Sequence, residues 1–554
     1  MPTGEEFFDS LRTNGLYYID KTEMIYDLLN DESAKVTLFT RPRRFGKTLT
    51  MTMMKSFFDI TQDNRRLFEG LSILKHTDFC DKWMNKYPVL FLSFKDISGL
   101  DYEGAYGMLK SCISQLCINN SFLLSSKKVD QSDINIFKRL KSMNASTDEI
   151  NYSLLTLSRM LNDHFGQPVV LLIDEYDVPL SRAHDEDKSE LDYYPKMLNT
   201  IRSIMSSALK TNPFLKTAVI TGCLRIAKES IFTGVNNFKT YGIIDKRFSD
   251  AFGFTDSEVT KLLSDTGYED KLPVIKQWYD GYIFGNSEIY CPWDVLNYIS
   301  DLSFDSEHEP ESYWKNTSSN DIIDDFLDEE GFDVSEKFET LMNGGTIEQT
   351  IGDRLTYGNL REKEDNLWSI LFMTGYLTKS DIDEKGSAVR LKIPNTEIFT
   401  IFRDSVISHV NTKIEPDIRK EVMDALWSGD EKKVSKLITD LLFDTISYFD
   451  YHEDYYHAFI TGLIASSKGC SVKSNQESGL GRTDIIVTDR KNRRAIIIEA
   501  KKAASAKSLE KEALDGKQQI IDKQYIKGLS GFSKITCYGI AFFEKTALAK
   551  ILDV

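Results

Sequence analysis

The 554-residue sequence predicts an α/β protein with three parts: an N-terminal parallel sheet with helices on both faces, a mostly helical, winged-helix-like middle region, and a compact C-terminal α/β unit. Length is the first of three observations behind this, because a single hydrophobic core rarely grows past about 250–300 residues. The second is a series of short apolar runs rich in β-branched and aromatic residues, at 36–40 (VTLFT), 89–94 (VLFLSF), 169–173 (VVLLI) and 217–221 (TAVIT), with helical segments between them. Runs of this kind fit parallel strands buried on both faces. The third is the order of the tail: a helix at 450–466, strands at 483–488 and 495–500, a helix near 508–528 and a strand at 535–543. The expected domains are 1–250, 251–440 and 441–554.

Composition narrows the function classes. Apolar residues make up 41% and aromatics 12%, too many for disorder. No apolar stretch is long enough for a membrane span, and the N-terminus MPTGEEFFDSLRTNGLYYID lacks the basic flank and apolar run of a secretion signal. Seven scattered cysteines form no CxxC pair, which argues against structural zinc and fits a reducing cytoplasm. The net charge of −17 excludes a protein that coats nucleic acid over its whole surface. Residues 466–554 nevertheless carry 17 Lys and Arg against 10 Asp and Glu, a local surplus suited to attracting phosphate. The acidic stretch at 301–335 reads as a loop and a solvated helix face, and the aromatic-rich middle (WYDGYIFG, LFMTGYLT) as buried packing.

Residues 36–58, VTLFT-RPRRFGKT-LTMTMMKSFF, read as a buried strand, a tight loop and a helix. A phosphate-binding P-loop needs this arrangement, because it aims backbone N–H groups and a helix N-terminus at phosphate oxygens. Gly46 lets the backbone approach, Lys47 reaches the β- and γ-phosphates and Thr48 ligates Mg²⁺. Arg41 stands where the general pattern has glycine, and Arg43 and Arg44 add guanidinium groups to the loop. The run VVLLIDEYD puts Asp174 and Glu175 at the C-terminal end of a buried strand, where parallel sheets bind ligands. Asp174 is expected to hold Mg²⁺ and Glu175 to polarise an attacking water. At the end of TAVITG, Thr221 is placed to sense the γ-phosphate and Arg225 to stabilise its charge.

In the segment SNQESGLGRTDIIVTDRKNRRAIIIEAKK, two strands joined by a polar turn predict a hairpin. Asp484 opens the first strand. Glu499 and Lys501 lie two apart on the second and so share a face. Phosphodiester hydrolysis needs a hard cation on oxygen ligands, an activated water and neutralisation of developing charge. Asp484, Glu499 and the Ala500 carbonyl can hold Mg²⁺ or Mn²⁺, and Lys501 can orient or deprotonate the water. A carboxylate ending the apolar run AIII is costly unless something compensates it, which favours this reading over a surface charge. Upstream, Glu453 and His457 fall one helical turn apart.

The segments IDKTEMIYDLL, FTRPRRFGKTLTMTMMKSFF, LLIDEYDVPL, ITGCLRIAKESIFTGVNNF, FGFTDSEV, WYDGYIFG and LFMTGYLT resemble the bacterial AAA-ATPase-like family that carries a C-terminal PD-(D/E)XK nuclease domain. In that family the RPRRFGK[ST] loop is the usual form. The resemblance implies an N-terminal P-loop sheet, a helical lid and linker relaying nucleotide state, and a C-terminal PD-(D/E)XK-type domain. It also implies ATP as nucleotide, although no base-reading motif separates ATP from GTP. Glu453 of the first helix becomes a candidate for the metal site, Gln519 and Tyr525 in QQIIDKQY match the family's polar-helix motif, and Glu477 can either join the metal cluster or simply precede the turn. The implied partner is nucleic acid, DNA in preference to RNA, with no membrane and with self-association into a homo-oligomer compatible. The expected activity is an ATP-binding, metal-dependent nuclease, and the alternative is a nucleotide-switched sensor or scaffold whose nuclease fold binds without cutting.

Overall fold

The computed structural model describes the chain except residues 31–33, 187–191, 211, 225–230, 233–237, 315–322, 324–334, 353–362, 383–387, 446–452, 466–469, 479–480, 530 and 554. It forms two compact units, Met1–Trp314 with Glu348–Asn395 and Lys315–Ile347 with Thr396–Val554.

The first unit is built on strands β1 (Val36–Thr40), β2 (Val89–Ser93), β3 (Val169–Asp174), β4 (Leu215–Gly222) and β5 (Phe238–Tyr241). They lie in the order β2-β3-β4-β1-β5, and every neighbouring pair is parallel. All residues of β1 and β3 are buried, so helices cover both faces of the sheet and the strands read as continuous apolar runs. Leu38, Leu90, Leu171 and Ile220 meet Leu157, Ile201 and other helix residues in one core. The short edge strand β5 (FKTY) lacks an apolar run, which is why no strand is expected there from sequence.

Helices dominate the region that follows. Thr255 opens Asp256–Thr266 with a capping box to Glu258, and Gly267 closes it in the left-handed conformation. Helices Leu272–Tyr279 and Pro292–Leu302 flank a hairpin of β6 (Tyr282–Phe284) and β7 (Ser287–Ile289). Tyr279, Tyr290 and Tyr298 are buried in the local core, so these aromatics serve packing, as expected. Strands β8 (Ile347–Thr350), β9 (Thr378–Lys379) and β10 (Ala388–Lys392) add a small sheet in the order β8-β10-β9.

In the second unit, helices precede a sheet of β11 (Ser471–Ser478), β12 (Gly481–Asp489), β13 (Arg494–Lys502), β14 (Lys534–Phe543) and β15 (Thr546–Asp553), arranged in chain order. Strands β13 and β14 are parallel and the other pairs antiparallel. The predicted hairpin is β12–β13, with pairing down to Asp489↔Arg494. Strands β11 and β15 go beyond the elements expected from the sequence. Both are edges, and SVKSNQES carries too little apolar signal to announce a strand.

Helix Leu509–Asp522 lies on β13 and β14 at very close range. A Cβ on Gly539 would stand 2.0 Å from the Ala513 carbonyl oxygen and 2.6 Å from the Lys517 nitrogen. Gly539 is the register partner of Glu499, so the missing side chain is what lets the helix reach that level of the sheet. Gly539→Val is therefore expected to lower the stability of the second unit by about 1–3 kcal/mol. Urea unfolding and faster amide exchange across β13 and β14 measure the loss.

Candidate active site and phosphate loop

The hairpin sets the geometry of the C-terminal site. Ile485 pairs with Ile498, and one step further along the ladder Asp484 lies beside Glu499. Asp484 Oδ2 accepts the Ala500 backbone N–H at 2.8 Å, and the Asp484 carbonyl accepts His457 Nε2–H at 2.9 Å. Glu499 is only 1% exposed. Its Oε1 accepts a short hydrogen bond from Gln519 Nε2, which the closely packed helix brings to this level. The Lys501 ammonium stands 3.9 Å from the same oxygen. Glu499 Oε2 is buried with no hydrogen-bond partner.

Such an atom is costly unless a cation or donor meets it. Burial, followed by the charge of Asp484, pushes the Glu499 carboxyl up to about 8 despite Lys501. A hard divalent cation supplies what this oxygen lacks, so the donor set fits Mg²⁺ or Mn²⁺. Asp484, Glu499 and the Ala500 carbonyl are the residues that would hold it. Tyr525 is buried nearby, and burial raises its hydroxyl pKa while a Gln519 hydrogen bond opposes the rise. Glu453 begins helix Glu453–Ala465 and Glu477 lies on β11 in register with Arg482, but their side chains fall outside the described residues.

At the other site, the C-terminal ends of β1, β3 and β4 converge. Gly46, at φ 81°, caps helix Lys47–Phe58, and Lys47 is buried at its first position. Its ammonium donates to the carbonyls of Arg41 (3.2 Å) and Pro42 (2.9 Å) and lies 3.7 Å from Cys223 Sγ. Burial opposes its charge, but Cys223, Glu175, Asp174 and Asp177 outweigh burial and hold its pKa above the ordinary value. Thr48 donates to Asp174 Oδ2 at 2.8 Å, and Thr221 donates to Asp174 Oδ1. Burial raises the Asp174 pKa, these hydroxyls opposing it. Glu175 follows in the left-handed region, at φ 51°, with its N–H bonded to Thr221 Oγ1 at 3.3 Å. The expected Lys47, Thr48, Asp174, Glu175 and Thr221 are thus brought together, while Arg225 lies outside the described residues.

Arg44 turns elsewhere: Nη1 donates to the Tyr313 carbonyl at 3.1 Å and the guanidinium lies 5.3 Å from the Trp293 ring centre. Arg43 remains close enough for its charge to lower the pKa of the Cys223 thiol, which burial raises overall. Sequence reasoning missed Asp177. This buried carboxylate accepts the N–H groups of Cys223 and Leu224 at 2.9 Å each, while its Oδ1 has no hydrogen-bond partner. It fixes the turn after β4 against Lys47, and the third acid of DEYD is the available signal. Elsewhere among the described residues, Asp301, His308 and Glu311 form a group with metal-ligand types. Glu311 is exposed and Asp301 is engaged by the Tyr313 hydroxyl at 2.6 Å, so surface pairing accounts for it. All seven cysteines are free, and no helix among the described residues is long and apolar enough to cross a membrane.

Family models match the two stretches of chain that carry these residues. Residues 2–232 match the AAA-ATPase-like family, described as "Predicted AAA-ATPase", and residues 451–550 match the PD-(D/E)XK nuclease superfamily. A protein of Azotobacter chroococcum mcd 1, described as "Uncharacterized protein in vnfD 5'region", is 23% identical over 504 residues, which is 88% of this chain and 86% of the relative.

The raised Glu499 pKa predicts a pH dependence. Between its ordinary value of 4.5 and about 8, the folded protein keeps a proton that the unfolded chain has lost. Metal-free stability is therefore fully present below that window and falls as pH rises through it. Glu499→Gln should remove this part of the slope. Divalent cation should stabilise wild type more at the top of the window than at the bottom, and should not stabilise the variant. Thermal unfolding in EDTA and in Mn²⁺ checks both, and parallel slopes for the two proteins would contradict it.

Proposed function

We propose, for a chain that carries an AAA-ATPase-like domain ahead of a PD-(D/E)XK nuclease-superfamily domain, a divalent-metal-dependent nuclease that hydrolyses DNA under the control of bound ATP. The observation that carries this reading is the pair Glu499 and Lys501. A buried carboxylate with one oxygen lacking a hydrogen bond lies on the same strand face as an ammonium 3.9 Å away, with Asp484 on the neighbouring strand. When bound, Mg²⁺ or Mn²⁺ would neutralise charge developing at the phosphate and lower the pKa of water.

The chain's own residues do the rest. Gln519 fixes the Glu499 carboxylate through Oε1 and leaves Oε2 available. The Ala500 N–H holds Asp484 Oδ2, so the second carboxylate keeps one orientation. Lys501 orients the attacking water and assists its deprotonation. Exposed Lys473, Arg490, Lys491 and Lys507 draw the nucleic-acid backbone to this unit.

In the front domain Lys47 and Thr48 engage the phosphates and Mg²⁺ together with Asp174, Glu175 acts on the water, and Thr221 senses the γ-phosphate. Functionally the chain divides into nucleotide domain (1–250), lid and linker (251–440) and nuclease domain (441–554). The sensor-or-scaffold alternative needs a set that binds without cutting, and the intact Asp484, Glu499 and Lys501 weigh against it.

Incubation with supercoiled, linear and single-stranded DNA and with RNA in Mn²⁺, with and without ATP, tests the proposal. DNA should be cut, and Glu499→Ala and Lys501→Ala should each slow cleavage by about a hundredfold or more. Lys47→Ala should keep cleavage but lose its response to ATP. Absence of cleavage in every arm would favour the scaffold.

A further inference from the structure

Arg41 occupies the position where a general phosphate loop has glycine, yet its side chain is not part of the cradle. It is wholly buried. Nη1 donates to the carbonyls of Thr40 (2.8 Å) and Tyr241 (3.0 Å), and Nη2 donates to that of Phe248 (2.7 Å). The guanidinium carbon lies 5.2 Å from the Phe252 ring centre and 5.5 Å from that of Phe284. Carbonyl dipoles and ring faces therefore stabilise its charge. These partners all come from the last residue of β5 and the segment after it, apart from the adjacent Thr40.

Neighbouring loop residues point the same way. Phe45 packs 5.1 Å from the Tyr282 ring and 5.0 Å from the Phe284 ring, and its carbonyl accepts the Gly253 N–H at 3.2 Å. There is no slack at that contact: a Cβ on Gly253 would meet Ile289 at 2.2 Å and Phe45 at 3.0 Å. The backbone of the same stretch has another client, because the Arg41 and Pro42 carbonyls receive Lys47. One short piece of chain thus holds the phosphate-seeking lysine by its carbonyls and residues 241–293 by its side chains.

We propose that Arg41 is a positioning residue that ties the phosphate loop to residues 241–293, so that phosphate drawing Lys47 from the Arg41 and Pro42 carbonyls is transmitted to that segment. This rests on the nucleotide reading above. The two carbonyls, once they lose the ammonium, must turn to find new donors, and the Arg41 side chain moves with them. The arginine in place of glycine converts a cradle into a joint.

Amide exchange of the full-length protein with and without MgATP, alongside calorimetric titration of MgATP, tests this. Wild type should show a nucleotide-dependent change in exchange across 282–293. Arg41→Met should bind MgATP and lose that change, and Arg41→Lys, which keeps a cation over the rings, should recover part of it. A merely structural Arg41 would raise exchange equally with and without nucleotide, leaving the difference intact, and that result overturns the proposal. If Arg41→Met does not fold, wild type and Phe284→Leu decide: a diminished response in Phe284→Leu supports the joint, and an undiminished one overturns it. MgATP binding to wild type with no response at 282–293 overturns this proposal alone, whereas no binding overturns the nucleotide reading and takes this one with it.

Discussion

The chemistry proposed for the second unit depends on one buried carboxylate. Glu499 lies at the end of a strand whose preceding residues, Ala495–Ile498, are wholly buried, so its carboxyl cannot be solvated as a surface acid is. Gln519 meets one oxygen and leaves the other without a hydrogen bond. Proton or cation must compensate what remains. The pKa pushed to about 8 is the proton-bound solution, and a divalent ion shared with Asp484 is the alternative. Two features of the surroundings set the terms of that competition, the hairpin register that aligns Asp484 and the glycine at 539 that admits the Gln519 helix.

The first unit solves a related problem with opposite sign. Lys47 is a buried cation, and three kinds of partner surround it: backbone carbonyls, a sulfur, and the carboxylates at the ends of β3 and in the turn beyond it. On the proposed nucleotide reading, anionic phosphate entering such a place would exchange one set of acceptors for another, which would couple binding to rearrangement of the loop. The same loop secures Phe45 and Arg44 against the aromatic middle, and these are the contacts through which the proposed joint would act.

Much of this was legible in the sequence because burial leaves a strong pattern. Strands β1 and β3 sit between two helical layers, and both were visible as uninterrupted apolar runs. The β12–β13 hairpin followed from two such runs flanking DRKNR, and with it the neighbouring positions of Asp484 and Glu499. Edge strands β5, β11 and β15 are held by pairing on one side only, and the polar sequences of β5 and β11 carry little of that signal. What a side chain faces was harder still. Nothing in RPRRFGKT tells that Arg41 and Arg44 point into an aromatic bed built from residues 200 or more positions away, or that Asp177 closes the turn beside Lys47. Long-range partners decide those roles, and local pattern does not encode them.

The most direct measurement is anomalous scattering from Mn²⁺ soaked into crystals of the full chain at a pH above the Glu499 pKa. A peak bonded to Asp484, Glu499 and the Ala500 carbonyl, lost in Glu499→Gln, is the predicted result. Manganese absent from these residues would contradict it.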